Sequence, residues 1–140
     1  MNIRQITPQY SVSPQIEPED LTAIRDAGFT RVICNRPDAE VPPALQADTM
    51  AKAAEAAGIE FAVLPLTHDT MTPENIARQM ELIEADGPVL AYCASGTRCS
   101  VIWSLGQAMS GALGTEEILA TTARAGYDLS NLRPRLEQMG

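Results

Sequence analysis

GPVLAYCASGTRCSVIWSL, residues 87–105, runs from a glycine-proline break through an apolar stretch to a cysteine, then to small residues, an arginine and a second apolar run. PVLAYC (88–93) is apolar and has the length of a buried strand, whereas the residues from Arg98 onward carry the spacing of a helix. The turn between them is the informative part. Gly96 permits a positive φ, so the amides from Ala94 through Ser95, Gly96 and Thr97 to Arg98 can curl around an anion. The following helix aims its positive end at the same spot. A thiol held there should lose its proton easily, and the Arg98 guanidinium should clamp two oxygens of an oxyanion. Without these neighbours, Cys93 would read as a core cysteine, because free Cys is among the most buried residue types.

Working outward, strand and helix patterns alternate. YSVS (10–13) is a short extended piece, and PEDLTAIRDAGF is a helix opened by Pro18 and closed by Gly28. TRVICN (30–35) and IEFAVLPL (59–66) read as strands, separated by the Pro-rich loop RPDAEVPPALQ and the Ala-rich helix ALQADTMAKAAEAAG. TPENIARQMELIEADG is a helix with Thr72 as cap and Pro73 in the first position. Helical patterns fill the chain after Arg98, and Trp103, Leu105 and Met109 are spaced as core contacts. Alternation of this kind predicts an α/β domain of three layers, with a small, mostly parallel sheet flanked by helices. Ligands in such sheets collect at the C-terminal strand edge, where CNRPDAE, LTHDTMT and CASGTRCS all arrive.

Composition narrows the function. At 140 residues the chain has the length of one domain. A formal net charge of -8 with only ten Lys and Arg disfavours nucleic acid and anionic membrane surfaces as partners. An anionic ligand must therefore be held locally. The N-terminal stretch lacks a signal-peptide pattern, and no run approaches the about 20 apolar residues of a membrane span, so a cytoplasmic location is expected. Three cysteines, Cys34, Cys93 and Cys99, fit no disulfide framework. A single histidine, His68, and no CxxC pair predict neither metal nor other cofactor. Cys34 or Cys99 could resolve an oxidised or persulfidated Cys93 as a disulfide, but simple burial is the reading favoured for both.

These segments resemble the beta-lactamase-hydrolase-like protein, phosphatase-like domain family. The resemblance is carried by VICNRPDAE (32–40), TPENIARQMELIE (72–84) and residues 87–105, and it extends over nearly the whole chain. It implies a compact dual-specificity-phosphatase-like fold, with Cys93 as nucleophile and Ser95, Gly96, Thr97 and Arg98 as the anion cradle. It also implies that Asp69 lies on the loop that carries the catalytic aspartate of dual-specificity phosphatases, although Asp is common in turns for local reasons. NRPDAE is a second signature: Arg36 would add charge at the mouth of the site, and Asp38 or Glu40 would orient Arg36 or Arg98. Two departures from the family's CRSGTRS loop are Ala94, which removes a positive charge, and Cys99, which stands where a serine is usual.

The spacing leaves the chemistry open. Cysteine phosphatases of the tyrosine and dual-specificity type use Cys-x5-Arg, whereas here four residues separate Cys93 from Arg98, a count that resembles rhodanese-type sulfurtransferases. On that ground the first expectation is a sulfurtransferase that carries sulfane sulfur from thiosulfate or a persulfide as a Cys93 persulfide. Its substrate would be a small anion or a persulfide, and its natural partner a persulfide dioxygenase. The alternative is a phosphohydrolase with a Cys93 phosphocysteine and Asp69 as general acid. A third reading is an oxyanion-binding module without turnover.

Overall fold

The computed structural model describes residues 1–139. Its strands are β1 (Arg4–Thr7), β2 (Tyr10–Ser13), β3 (Arg31–Cys34), β4 (Glu60–Val63) and β5 (Val89–Tyr92). They form one sheet in the order β1-β2-β5-β3-β4, with β5 in the middle. β5 pairs parallel to both β2 and β3, and β3 pairs parallel to β4. The exception is β1, which joins β2 antiparallel through a short turn. The sequence pattern missed β1 because RQIT has only one fully buried side chain, Ile6, and so lacks an apolar run. β4 also stops earlier than the predicted 59–66, and none of its four residues is fully buried. Its position at the sheet edge accounts for that.

Side chains alternate across the sheet as the two-residue strand period requires. Ile33, Val89 and Ala91 face one core together with Tyr10 and Val12, while Val32, Cys34, Leu90 and Tyr92 face the other. Helices α1 (Asp20–Asp26) and α2 (Ala47–Ala57) cover the second face through Leu21, Ile24, Met50 and Ala54. Helices α3 (Pro73–Ile83), α4 (Thr97–Ser110), α5 (Thr115–Arg124) and α6 (Arg133–Met139) lie over the first, through Ile76, Ile102, Leu105, Ile118 and Leu136. Each such fully buried aliphatic side chain contributes roughly 1.5–3 kcal/mol by leaving water. The three-layer α/β arrangement expected from the alternation is therefore present.

α4 is the most enclosed of these helices: every residue from Cys99 to Gly106 is buried. Its buried hydroxyls are satisfied within the helix, Ser100 Oγ donating to the Gly96 carbonyl (2.9 Å) and Ser104 Oγ to that of Ser100 (2.8 Å). At Gly106 the neighbouring α3 residue Met80 occupies the space a Cβ would need, so the glycine sets how closely the two helices approach. Trp103 and Leu105 are core residues as expected, but Met109 is 39% exposed, because it lies beyond the enclosed stretch near the end of the helix. α1 begins at Asp20, two residues after Pro18. The Pro-rich loop contains two single 3-10 turns, Asp38–Glu40 and Pro43–Leu45.

A buried polar chain ties α3 and the strand ends to α4. Gln79 Nε2 donates to Asn35 Oδ1 (3.0 Å) and to the Tyr10 hydroxyl (3.2 Å), and Asn35 Nδ2 donates to Gln79 Oε1 (2.9 Å) and the Leu64 carbonyl (2.9 Å). The Tyr10 hydroxyl in turn donates to the Cys99 carbonyl (2.8 Å). Burial pushes the Tyr10 phenol well above its ordinary value, which keeps it a donor. Tyr10→Phe leaves one buried Gln79 N–H without a partner and removes the tie between the Cys99 carbonyl and β2, so urea denaturation should show a loss of about 1–3 kcal/mol.

Candidate active site

The central strand ends at Tyr92, and Cys93 begins the loop that leads into α4. Two features shape this loop. Gly96 is the residue before the helix, with φ of 90°, a left-handed conformation that a residue with a Cβ rarely adopts. The Cys93 amide is held by the Ser13 carbonyl of β2 at 3.3 Å. Between these anchors the chain turns tightly enough for the Gly96 N–H to donate to Cys93 Sγ at 3.1 Å. The helix starts at Thr97, one residue before the predicted Arg98. Ser95 and Thr97 are joined by a hydroxyl–hydroxyl bond of 2.9 Å, and the Thr97 N–H donates to Ser95 Oγ at 3.3 Å.

Cys93 itself is fully buried, with the exposed residues Ala94 and Ser95 following it in the loop. The thiol is lowered from its ordinary value to about 5. The largest cause is a hydrogen bond from the Cys99 side chain; the amides of Cys99, Ser95 and Gly96 add to it, and burial opposes it. Burial pushes the Cys99 thiol well up, so the shared proton rests on Cys99 and the charge on Cys93. The residue at the usual serine position is thus a donor to the sulfur. Cys34 belongs to the core on the other face of the sheet, where burial pushes its thiol up, so of the two remaining cysteines only Cys99 shares the Cys93 side.

Arg98 is held rigidly. Its guanidinium makes a bidentate pair with Glu40, NH1 to Oε2 and NH2 to Oε1, both at 2.8 Å, and NH1 also donates to the Leu66 carbonyl at 2.8 Å. Arg36 converges on the same carboxylate, Nε to Glu40 Oε1 at 3.2 Å, and donates through NH1 to Gln15 Oε1 at 3.2 Å. Hydrogen bonds from Arg98, and secondarily from Arg36, hold the Glu40 carboxyl below the usual carboxylate range. Of the two acids in NRPDAE, Glu40 therefore orients both arginines, whereas Asp38 accepts the Ala47 N–H at the start of α2 (2.8 Å).

Asp69 lies in the exposed 3-10 turn His68–Thr70 that follows the β4 segment, and no hydrogen bond or ion pair of its side chain occurs among the described residues. The turn is closed by a capping box between Thr67 and Thr70 rather than by Asp69, so the aspartate is not needed for the turn. Tyr127, between α5 and α6, was missed by sequence reading. Its hydroxyl donates to the Ser95 carbonyl at 3.0 Å, and it packs so closely on Gly96 that a Cβ there would collide with the phenol. No local pattern announces a contact 34 residues downstream of Cys93.

Residues 2–110 match the family described as Beta-lactamase hydrolase-like protein, phosphatase-like domain. The chain belongs to that family. A Beta-lactamase hydrolase-like protein of Agrobacterium fabrum is 32% identical over 130 residues, which is 92% of this chain and 30% of that protein. The chain thus spans about a third of the length of its curated relative. A candidate phosphatase from Neisseria meningitidis has 33% identity, covers 100% of this chain and 99% of its own, and superposes with a TM-score of 0.87. The core catalytic domain of the PP-IP phosphatase SIW14 from S. cerevisiae shares the fold, with a TM-score of 0.72 at 12% identity, over 100% of this chain and 86% of that one. The phosphatase-like fold expected from the resemblance is present, and the family match and the Neisseria similarity favour a phosphatase-like enzyme over the sulfurtransferase first expected. No helix among the described residues is long and apolar enough to cross a membrane.

The thiolate is the reactive form, so alkylation of Cys93 by iodoacetamide should rise through a midpoint near pH 5, stay level toward neutrality and be lost as pH falls below 5. Cys99→Ala removes the largest stabilising contact and should move that midpoint upward. The readout is mass spectrometry of the Cys93 peptide across a pH series, and a wild-type midpoint near that of a free thiol contradicts the assignment.

Proposed function

We propose that the chain is a cysteine-dependent phosphomonoester hydrolase. The observation that carries this reading is the Cys93 sulfur bonded by the Gly96 N–H at the start of α4, next to an arginine held by Glu40. The amides of residues 94–98 and the Arg98 guanidinium supply donors where phosphoryl oxygens gain charge, which is the role that preorganised N–H groups serve best. The family membership and the Neisseria relative lean the same way. Thiosulfate sulfur transfer has no such support.

In the first step the Cys93 thiolate attacks phosphorus; the S–P bond forms as the P–O ester bond breaks, and Asp69 gives its proton to the departing alkoxide or phenoxide. Water then attacks phosphorus, Asp69 takes a proton from it, and the S–P bond breaks to release inorganic phosphate and the thiolate. The Cys99 thiol donates to that sulfur as it leaves. Arg36 contributes charge beside Arg98 while sharing Glu40 with it. Three free cysteines suit a reducing, cytoplasmic setting.

Purified protein should hydrolyse p-nitrophenyl phosphate and phenyl phosphate, and Cys93→Ser should abolish both. Asp69→Asn should lower kcat by about 100-fold on phenyl phosphate, whose leaving group needs a proton, and by less on the nitrophenyl ester. Cyanide-dependent turnover of thiosulfate without phosphate release would overturn the proposal in favour of sulfur transfer. Oxyanion binding with neither activity would overturn it in favour of a binding module.

Glu40→Gln keeps the shape but removes the charge that fixes both arginines. It should reduce kcat/KM on an aryl phosphate about tenfold, the size of one weakened charge-assisted contact, with the loss expressed in KM because Arg98 binds the oxyanion. Steady-state kinetics on the two esters reads this directly.

A further inference from the structure

A cavity of about 330 Å³ opens beside the cysteine loop, between the 3-10 turn at His68–Thr70, the first turns of α4 and the segment 128–135. Thr97 lines it, so one wall of the cavity belongs to the loop that would hold the phosphoryl group. Met71, Val101, Leu129 and Leu132 make it apolar over much of its surface. Its volume is within the range of small-molecule sites. Two basic side chains, His68 and Arg135, stand at its exposed edge. Arg135 is anchored by one bond from NH2 to the Met71 carbonyl (2.9 Å), and it has no carboxylate partner among the described residues. The acid in the lining, Asp128, is turned to its own backbone, accepting the Ser130 N–H at 3.1 Å.

Arg135 thus sets an anchored guanidinium, without an acid partner among the described residues, at the rim of an apolar cavity in a chain with eight excess negative charges. We propose that this cavity takes the leaving group of the substrate, and that the preferred leaving group is an apolar body, aryl or alkyl, carrying a carboxylate that Arg135 binds. The phosphate would sit in the 93–98 loop, the apolar part against Met71 and Val101, and the carboxylate on the guanidinium, whose fork matches two carboxylate oxygens. His68 adds a second donor at the same edge. The inference rests on the phosphohydrolase reading for its first anchor and on the cavity for its second.

The test compares phenyl phosphate with 3- and 4-carboxyphenyl phosphate, in wild type and in Arg135→Met, which keeps an apolar stem and removes the charge. Comparing the ratio of kcat/KM for the carboxyphenyl esters to that for phenyl phosphate between the two proteins cancels intrinsic reactivity, and the ratio should fall about tenfold in the variant, as loss of one charged contact predicts. A second measurement needs no turnover. Calorimetric titration of the Cys93→Ser protein with the same esters should show tighter binding of at least one carboxyphenyl ester, with the preference lost in Cys93→Ser/Arg135→Met. Hydrolysis of all esters with the same ratio in wild type and variant overturns the leaving-group assignment and leaves the hydrolase reading standing. Absent hydrolysis with an Arg135-dependent binding preference overturns the hydrolase reading and supports the cavity. No preference in either measurement overturns the cavity proposal outright.

Discussion

The bond from the Gly96 amide to the Cys93 sulfur is the contact on which the site depends. It exists because the central strand must become a helix within four residues, and a glycine at φ of 90° allows that turn. The same geometry brings the Cys99 thiol, on the first turn of α4, and several backbone amides against one sulfur, and their hydrogen bonds, that of Cys99 foremost, are how a buried thiol comes to be lowered rather than raised. Burial alone would keep the proton on Cys93. Cys99 illustrates the point: it is also fully buried, lacks the amide ring and is pushed up.

Around that contact, charge is arranged locally. Glu40 receives both Arg98 and Arg36, so two cations and one carboxylate form a fixed group at the sheet edge although the chain as a whole is acidic. A bidentate pair costs side-chain freedom once, on folding, and the guanidinium then needs no reorganisation when an anion arrives. The Asn35–Gln79–Tyr10 chain performs a comparable task from beneath by holding the Cys99 carbonyl, and so the first turn of α4, against the ends of β2 and β3.

The similarity to known proteins and the geometry cover different parts of the molecule. The family match ends at residue 110, whereas Tyr127, which packs on the cysteine loop, and Arg135, at the edge of the neighbouring cavity, lie beyond it. The short spacing from Cys93 to Arg98 pointed toward sulfur transfer when read by itself. It separates the two chemistries poorly, because amide donors and one arginine serve either a sulfane sulfur or a phosphoryl group, and the matched family and the Neisseria relative are phosphatase-like.

From the sequence alone one could read the alternation of strands and helices, the cysteine loop and its glycine, and the arginine that follows, because each is written in neighbouring residues and obeys periods of two or 3.6. Edge strands are harder: β1 buries little, so its apolar signal is weak, whereas the apolar run IEFAVLPL continues past the end of β4 at Val63. Which acid holds Arg98, which cysteine shares its proton with Cys93, and that Tyr127 closes over Gly96 were decided only by the tertiary structure. Arg98 and Glu40 are 58 positions apart and Tyr127 and Gly96 are 31, so those partners are chosen by how helices and strands pack; Cys99 is only six from Cys93, and the direction of its proton is set by the burial of one thiol and the amides around the other.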